Sequence, residues 1–310
     1  MIAQNIQKFG RRLARAPKSL RTWIVNSNGF RREDLKRFLV ALTDSGIEFC
    51  KVDKFSSRFE TYFAEGNDRP PLRPFGLLKF DIHNDIKRPL AAARMLSENG
   101  LPGLFLMMPR HPLNEAFYDQ SRTWDILREI CALGHEVGLH ADLFNLIATY
   151  GDLYKGLDAS LKDMRGRGLM VRAATVHGDT RRHIKAVRMQ GNDFFKEEFR
   201  RSKWNGKPPK GEEFYADHVK RYSHRKIAQD FGLEYFAEVK FLHNGQTLSD
   251  EQMLYLSDNR RSMEIRNIPG RGSNLVCEKP FQITPEFTAQ AIAVLKLRPF
   301  LMLLHPQWYR

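Results

Sequence analysis

Hydrophobic positions along this chain switch between helical and strand spacing, and the order of the switches predicts the architecture. Over Arg31–Gly46, Leu35, Phe38, Leu39 and Leu42 recur every three or four residues, so the segment reads as an amphipathic helix stopped at Gly46. A short strand, IEFCKV, follows, and then a polar loop containing NDRPPLRP, where three prolines end regular structure. Apolar runs predict strands at Leu77–Ile82, Gly103–Met108, Glu136–Ala141 and Met170–Val176. Between them Lys87–Asn99, Arg122–Leu133 and Leu143–Arg167, the last with a glycine interruption, have helical spacing. Strand–helix units in succession predict parallel strands joined by helical crossovers. The pattern lapses over Arg181–Arg225, a basic stretch with NGKPPKGEE that reads as an insertion with local helix. It returns with strands at Glu234–Val239 and Met253–Leu256 and a helix over Ile283–Leu297, opened by Thr284-Pro285-Glu286. A last strand is expected at Phe300–Leu304.

At 310 residues, with 42% apolar and 28% charged content, the chain suits one large α/β domain, or one domain with an extra segment. No apolar run approaches the roughly 18–20 residues of a membrane span. Residues 1–27 form a basic arm without a continuous apolar core or a small-residue cleavage site, a poor secretory signal. A frayed solvated arm, a surface-seeking helix and an organellar presequence are all compatible with it. Cys50, Cys131 and Cys277 show no CxxC spacing, which excludes a zinc ribbon and suggests a reducing compartment. A net charge of +14 favours anionic surroundings, yet no helix-turn-helix or aromatic RNA-binding signature accompanies it, so no specific nucleic-acid partner is expected.

The chemistry gathers where apolar runs end. In LLKFDIHND (Leu77–Asp85) a strand period of two puts Asp81, His83 and Asp85 on one side. EVGLHAD delivers His140 and Asp142, RAATVHGD delivers His177, and FLMLLHP delivers His305. Carboxylates and imidazoles at the C-terminal ends of strands are how barrel-type α/β enzymes build a site. Asp81 could serve as ligand or general base, and His83 and His140 as ligands for zinc or a similar ion. His177 is a further ligand or a helix cap. His305 could give a proton to a leaving amine, which needs a group titrating near neutral pH. His135, on a helix-to-strand turn, reads as a structural hydrogen-bonding residue.

Together these motifs resemble the polysaccharide deacetylase (NodB-homology) superfamily, in its D-x-D group. LLKFDIHND, followed by a helix and an apolar strand, looks like the aspartate-bearing first motif. GHEVGLHAD resembles the second, which ends in a metal-binding histidine. LMLLHPQWY resembles the last, whose leucine-histidine pair lines the acetate pocket, and YLSDN (Tyr255–Asn259) resembles a strand end of the D-x-D group. The likeness covers roughly residues 28–310, apart from much of the 181–225 insertion. It implies a distorted (β/α) barrel of about seven parallel strands. It makes Asp81 the catalytic base, His305 the catalytic acid, and Asp258 and Trp308 substrate contacts. This chain departs from the family in carrying His83 where a metal-binding aspartate is usual, and Phe144 where a second histidine is usual. The ligand set is therefore rebuilt from His83, His140 and either His177 or Asp142, around one divalent ion, Zn2+ with Mn2+ or Co2+ as alternatives.

The activity implied is metal-dependent hydrolysis of an N- or O-acyl group, acetyl foremost, on a carbohydrate or glycan precursor. The basic surface would suit an acidic or lipid-linked glycan. Without a secretory signal the expected place is the cytoplasm, with the basic arm able to touch the inner membrane face. A catalytically silent relative that binds glycan or a partner is the alternative. A metallophosphoesterase is a weaker one, since DIHND supplies only the opening D-x-H of such enzymes.

Overall fold

The computed structural model describes residues 31–65, 70–83, 85–109, 118, 120–177, 224–236, 242–243, 246–247, 253–258, 262–269, 274–277, 282–306 and 309. The 1–27 arm, Trp308 and nearly all of the 181–225 insertion lie outside them. In chain order the elements are α1 (Arg32–Asp44), β1 (Glu48–Phe49), α2 (Val52–Ala64), β2 (Phe75–Ile82), α3 (Lys87–Glu98), β3 (Leu104–Met107), α4 (Ser121–Ala132) and β4 (Glu136–Ala141). There follow α5 (Leu143–Tyr150), α6 (Leu153–Gly166), β5 (Ala173–Val176), α7 (His224–Phe231) and β6 (Tyr235–Phe236). The chain ends with a small hairpin, β7 (Leu242–His243) and β8 (Gln246–Thr247), then β9 (Leu254–Asp258), β10 (Met263–Arg266), β11 (Leu275–Cys277), α8 (Pro285–Leu295) and β12 (Phe300–Leu304).

The protein is α/β with a mostly parallel central sheet, in the order β11-β10-β9-β12-β2-β3-β4-β5-β6. From β9 to β6 every pairing is parallel. β10 and β11 add an antiparallel meander at one edge, which the sequence reading did not contain. Among the described residues no pairing joins β11 to β6, so the sheet is open there. β1 pairs with Phe75 and Gly76 of β2, ahead of the point where β3 joins at Lys79.

Strand alternation sorts the core into two layers. Leu78, Phe80 and Ile82 of β2, Phe105 and Met107 of β3, and Phe300, Met302 and Leu304 of β12 face a large core shared with α1, α3 and α4. Phe75, Leu77, Leu104, Leu106, Ala173, Tyr255, Leu301 and Leu303 face the other way and pack with α2. That helix corrects the loop read after IEFCKV. Val52, Phe55, Phe59 and Tyr62 form one buried stripe along it, and the ring of Phe55 lies 5.6 Å from that of Phe75. Fully burying one such side chain is worth about 1.5–3 kcal/mol, enough to outweigh the polar residues between them. The Val52 amide donates to the Glu136 carboxylate at 2.9 Å, tying the start of α2 to β4.

Side-chain caps open α6, where Asp152 accepts from the Lys155 amide, and α8. Thr284 accepts from the Phe287 amide and Pro285 occupies the first turn of α8. α5 and α6 part at Gly151, whose φ is +73°. Among the described residues no helix is long and apolar enough to cross a membrane.

Gly138 lies on β4, between β3 and β5. A Cβ there would lie 2.7 Å from the Ala173 carbonyl oxygen and 2.7 Å from Leu106 Cδ2. Gly138→Ala is expected to destabilise the protein by about 1–3 kcal/mol, as overpacked cores do. Chemical denaturation checks this through a lower midpoint at unchanged slope.

Candidate metal centre

On the face that carries α2, the apolar layer gives way to polar groups toward the C-terminal ends of the strands. Lys79 and Asp81 continue the row begun by Leu77 on β2, His140 continues from Gly138 on β4, and Thr175 from Ala173 on β5. His83, His177 and His305 follow directly at or just beyond the ends of β2, β5 and β12. The three strands that supply His83, His140 and His177 do so because the parallel order places their C-terminal ends together.

His83, His140 and His177 form a cluster that could hold a metal ion. Each offers one ring nitrogen, and these nitrogens lie within 4.8 Å of one another. The ring centroids are 5.3 Å apart for His83 and His140, 5.1 Å for His83 and His177, and 5.0 Å for His140 and His177. Zinc–nitrogen bonds of about 2.1 Å in a tetrahedron place the nitrogens about 3.4 Å apart, a spacing inside that limit. Asp142, the alternative third ligand, is buried at the end of β4 but is not part of the cluster.

His140 is 1% exposed and held through Nδ1 by Thr175 Oγ1 at 3.0 Å. Its Nε2 makes no hydrogen bond among the described residues and lies 3.4 Å from Asp81 Oδ2. The tautomer in which Nδ1–H donates to Thr175 leaves the Nε2 lone pair free for an ion, the arrangement that metal-binding histidines use. Burial lowers the His140 pKa well below its ordinary value, against the pull of Asp81 and with help from His177, His83 and Lys79. The ring is therefore neutral at neutral pH, the form that binds metal.

Asp81 is also buried. Burial works against its charge, but the pull of His140, Lys79, His305 and His83 outweighs it and holds the Asp81 pKa below the usual aspartate range. Lys79 Nζ lies 3.9 Å from Asp81 Oδ1. Asp81 is thus an ionised carboxylate beside the triad, suited to accept a proton.

His305 lies 5.8 Å from His83, centroid to centroid. Asp258, buried at the end of β9, accepts from the His305 backbone amide at 2.8 Å and contacts Nδ1 at 2.6 Å. Burial alone would lower the His305 pKa, but the charge and hydrogen bond of Asp258, joined by Asp81, raise it above the ordinary value. Asp258, expected to meet substrate, has both carboxylate oxygens on this histidine. Tyr309 is buried nearby, its phenol pushed well up first by burial and then by the Asp258 charge.

Two site residues escaped the sequence reading. Lys79 stood inside an otherwise apolar run, although its position two before Asp81 placed it on the same face. Thr175 stood two before His177 in the same way. His135 is the structural residue expected, its Nε2 2.8 Å from the Ala93 carbonyl oxygen. In comparisons with known proteins, no family model, no curated protein and no solved structure matches this chain.

Proposed function

We propose that this protein is a metal-dependent hydrolase that removes an N- or O-acyl group, acetyl foremost, from a carbohydrate or glycan precursor, as a divergent member of the polysaccharide deacetylase superfamily. The observation that carries the reading is that Asp81, 3.4 Å from His140, and His305, its ring 5.8 Å from that of His83, both stand beside the three-histidine cluster. The seven parallel strands from β9 to β6 are compatible with the distorted barrel of that superfamily.

A divalent ion held by His83, His140 and His177, zinc by the all-nitrogen donor set, would polarise the acyl oxygen and acidify the attacking water. Asp81, ionised beside the cluster, takes the water's proton. His305, kept protonated by Asp258, gives its proton to the departing amine or sugar oxygen. Thr175 keeps His140 in the tautomer that leaves Nε2 toward the ion. Phe144, where the superfamily usually has a second histidine, explains why His177 completes the ligand set.

A net charge of +14 suits an acidic or lipid-linked glycan. The test is acetate release from N- and O-acetylated oligosaccharides. Release that stops with a chelator and returns with zinc, manganese or cobalt is the expected result. The altered first and second motifs favour a second reading, a silent glycan-binding relative, which predicts no stoichiometric metal and glycan binding that a chelator leaves unchanged. Turnover of a generic phosphodiester would instead favour phosphoesterase chemistry.

A further inference from the structure

Lys79 is completely buried in the middle of β2. Its register partners are Leu303 on β12 and Leu104 on β3, both apolar and both in the layer beneath the site. A lysine is seldom buried this deeply without a charged partner, and methionine or leucine would fill the same strand position without a charge to desolvate. Asp81, two residues along the same face, is such a partner, its Oδ1 3.9 Å from Lys79 Nζ.

Asp81 has two claimants. Oδ1 faces the Lys79 ammonium, while Oδ2 is 3.4 Å from His140 Nε2, the nitrogen left for a metal ion. Carboxylates are ordinary zinc ligands. A carboxylate so close to the ion's place would join the coordination shell unless something opposed it, and a carboxylate bound to the ion is a poor proton acceptor.

We propose that Lys79 is a positioning residue of the metal centre, which holds Asp81 out of the coordination shell and so preserves it as the proton acceptor. The inference rests on the reading of His83, His140 and His177 as metal ligands. Lys79 and the ion compete for one carboxylate, so each weakens the other's hold on it. Loss of Lys79 therefore has opposite consequences for binding and for chemistry. The ion is held more tightly, because a nearby positive charge is gone and Asp81 is released toward it. Hydrolysis becomes slower, because the base is occupied. A lysine that only filled space would have its loss weaken both.

Cobalt titration of the whole protein provides the test, read by affinity and by visible spectrum, with acetate release measured on the same samples. The variants are Lys79→Met, Lys79→Gln (which keeps a hydrogen-bond donor without the charge), and each combined with Asp81→Asn. Lys79→Met and Lys79→Gln are expected to bind cobalt about tenfold or more tightly, with a spectrum altered by the added oxygen ligand, and to release acetate more slowly. In the Asp81→Asn background the spectral change is expected to vanish and most of the tightening with it. Binding that is unchanged or weaker in both single variants overturns the inference, and so does a spectrum identical to that of the unaltered protein. If neither single variant folds, the role of Lys79 is structural and the inference fails. Unaltered protein that takes up no cobalt overturns the metal reading itself, whereas uptake by the unaltered protein without tightening in the variants overturns only the role given to Lys79.

Discussion

Asp81→Asn is expected to retain the metal ion and to slow acyl hydrolysis by about 10²–10⁴-fold, the usual contribution of a positioned general base. The amide keeps the shape of the carboxylate but has no charge with which to take a proton. The three histidine ligands are untouched by the change, so saturating zinc should still load the site. The same substitution leaves the buried Lys79 beside a neutral group, and breaking one side of a buried ion pair costs about 3–5 kcal/mol. Asp81→Asn/Lys79→Met removes both charges and separates the two effects. Its thermal midpoint should recover toward that of the unaltered protein while the hydrolysis rate stays low. Recovery of the rate in the double variant would remove Asp81 from the chemistry.

His305→Gln is expected to lower kcat/KM at neutral pH by about 10²–10⁴-fold, because the leaving group then departs without a proton donor. The loss should be larger on amides than on esters, since an amine is the poorer leaving group. The pH profile gives a sharper reading. A general acid works in its protonated form, so activity should persist below the His305 pKa and fall as pH rises through it. Asp258 holds that pKa above the ordinary histidine value, so the alkaline limb should lie above the usual histidine range. In Asp258→Asn the raising partner is gone and burial prevails, so the limb should move toward acid pH. A limb that stays in place in Asp258→Asn would assign it to another group. Asp81, with its pKa below the usual aspartate range, should not set the acid limb. That limb is expected from protonation of the histidine ligands and release of the ion.

Much of this arrangement was legible in the residues because strand periodicity is strict. Asp81 stands in β2 and His83 just beyond its end, and each apolar run that delivered a histidine proved to be a strand of the parallel sheet, apart from small shifts at the ends. α2 was missed although Val52, Phe55, Phe59 and Tyr62 have helical spacing. The residues between them, among them Lys54, Ser56, Ser57, Arg58 and Glu60, are polar, and the prolines further on drew the whole segment into the loop. β10 and β11 were missed because a four-residue and a three-residue strand carry too little pattern to stand apart from loop. In the site, the triad followed from the ends of the strands, whereas the partners of those residues did not. The contact of Asp258 with His305 spans 47 positions in sequence and depends on β9 lying beside β12. The choice of His177 over Asp142 likewise needed the three-dimensional placing of β5 beside β4. Lys79 was hidden by the rule that charged residues avoid strand interiors, which is the rule its pairing with Asp81 allows it to break.

The most direct measurement is the metal content of the purified protein beside its His140→Ala variant, each after incubation with zinc, manganese or cobalt and removal of the excess. The expected result is about one ion per chain in the unaltered protein and none in the variant, since two remaining histidines fall short of the three ligands a catalytic site needs. No ion in either protein, or equal content in both, would contradict a metal centre at His83, His140 and His177.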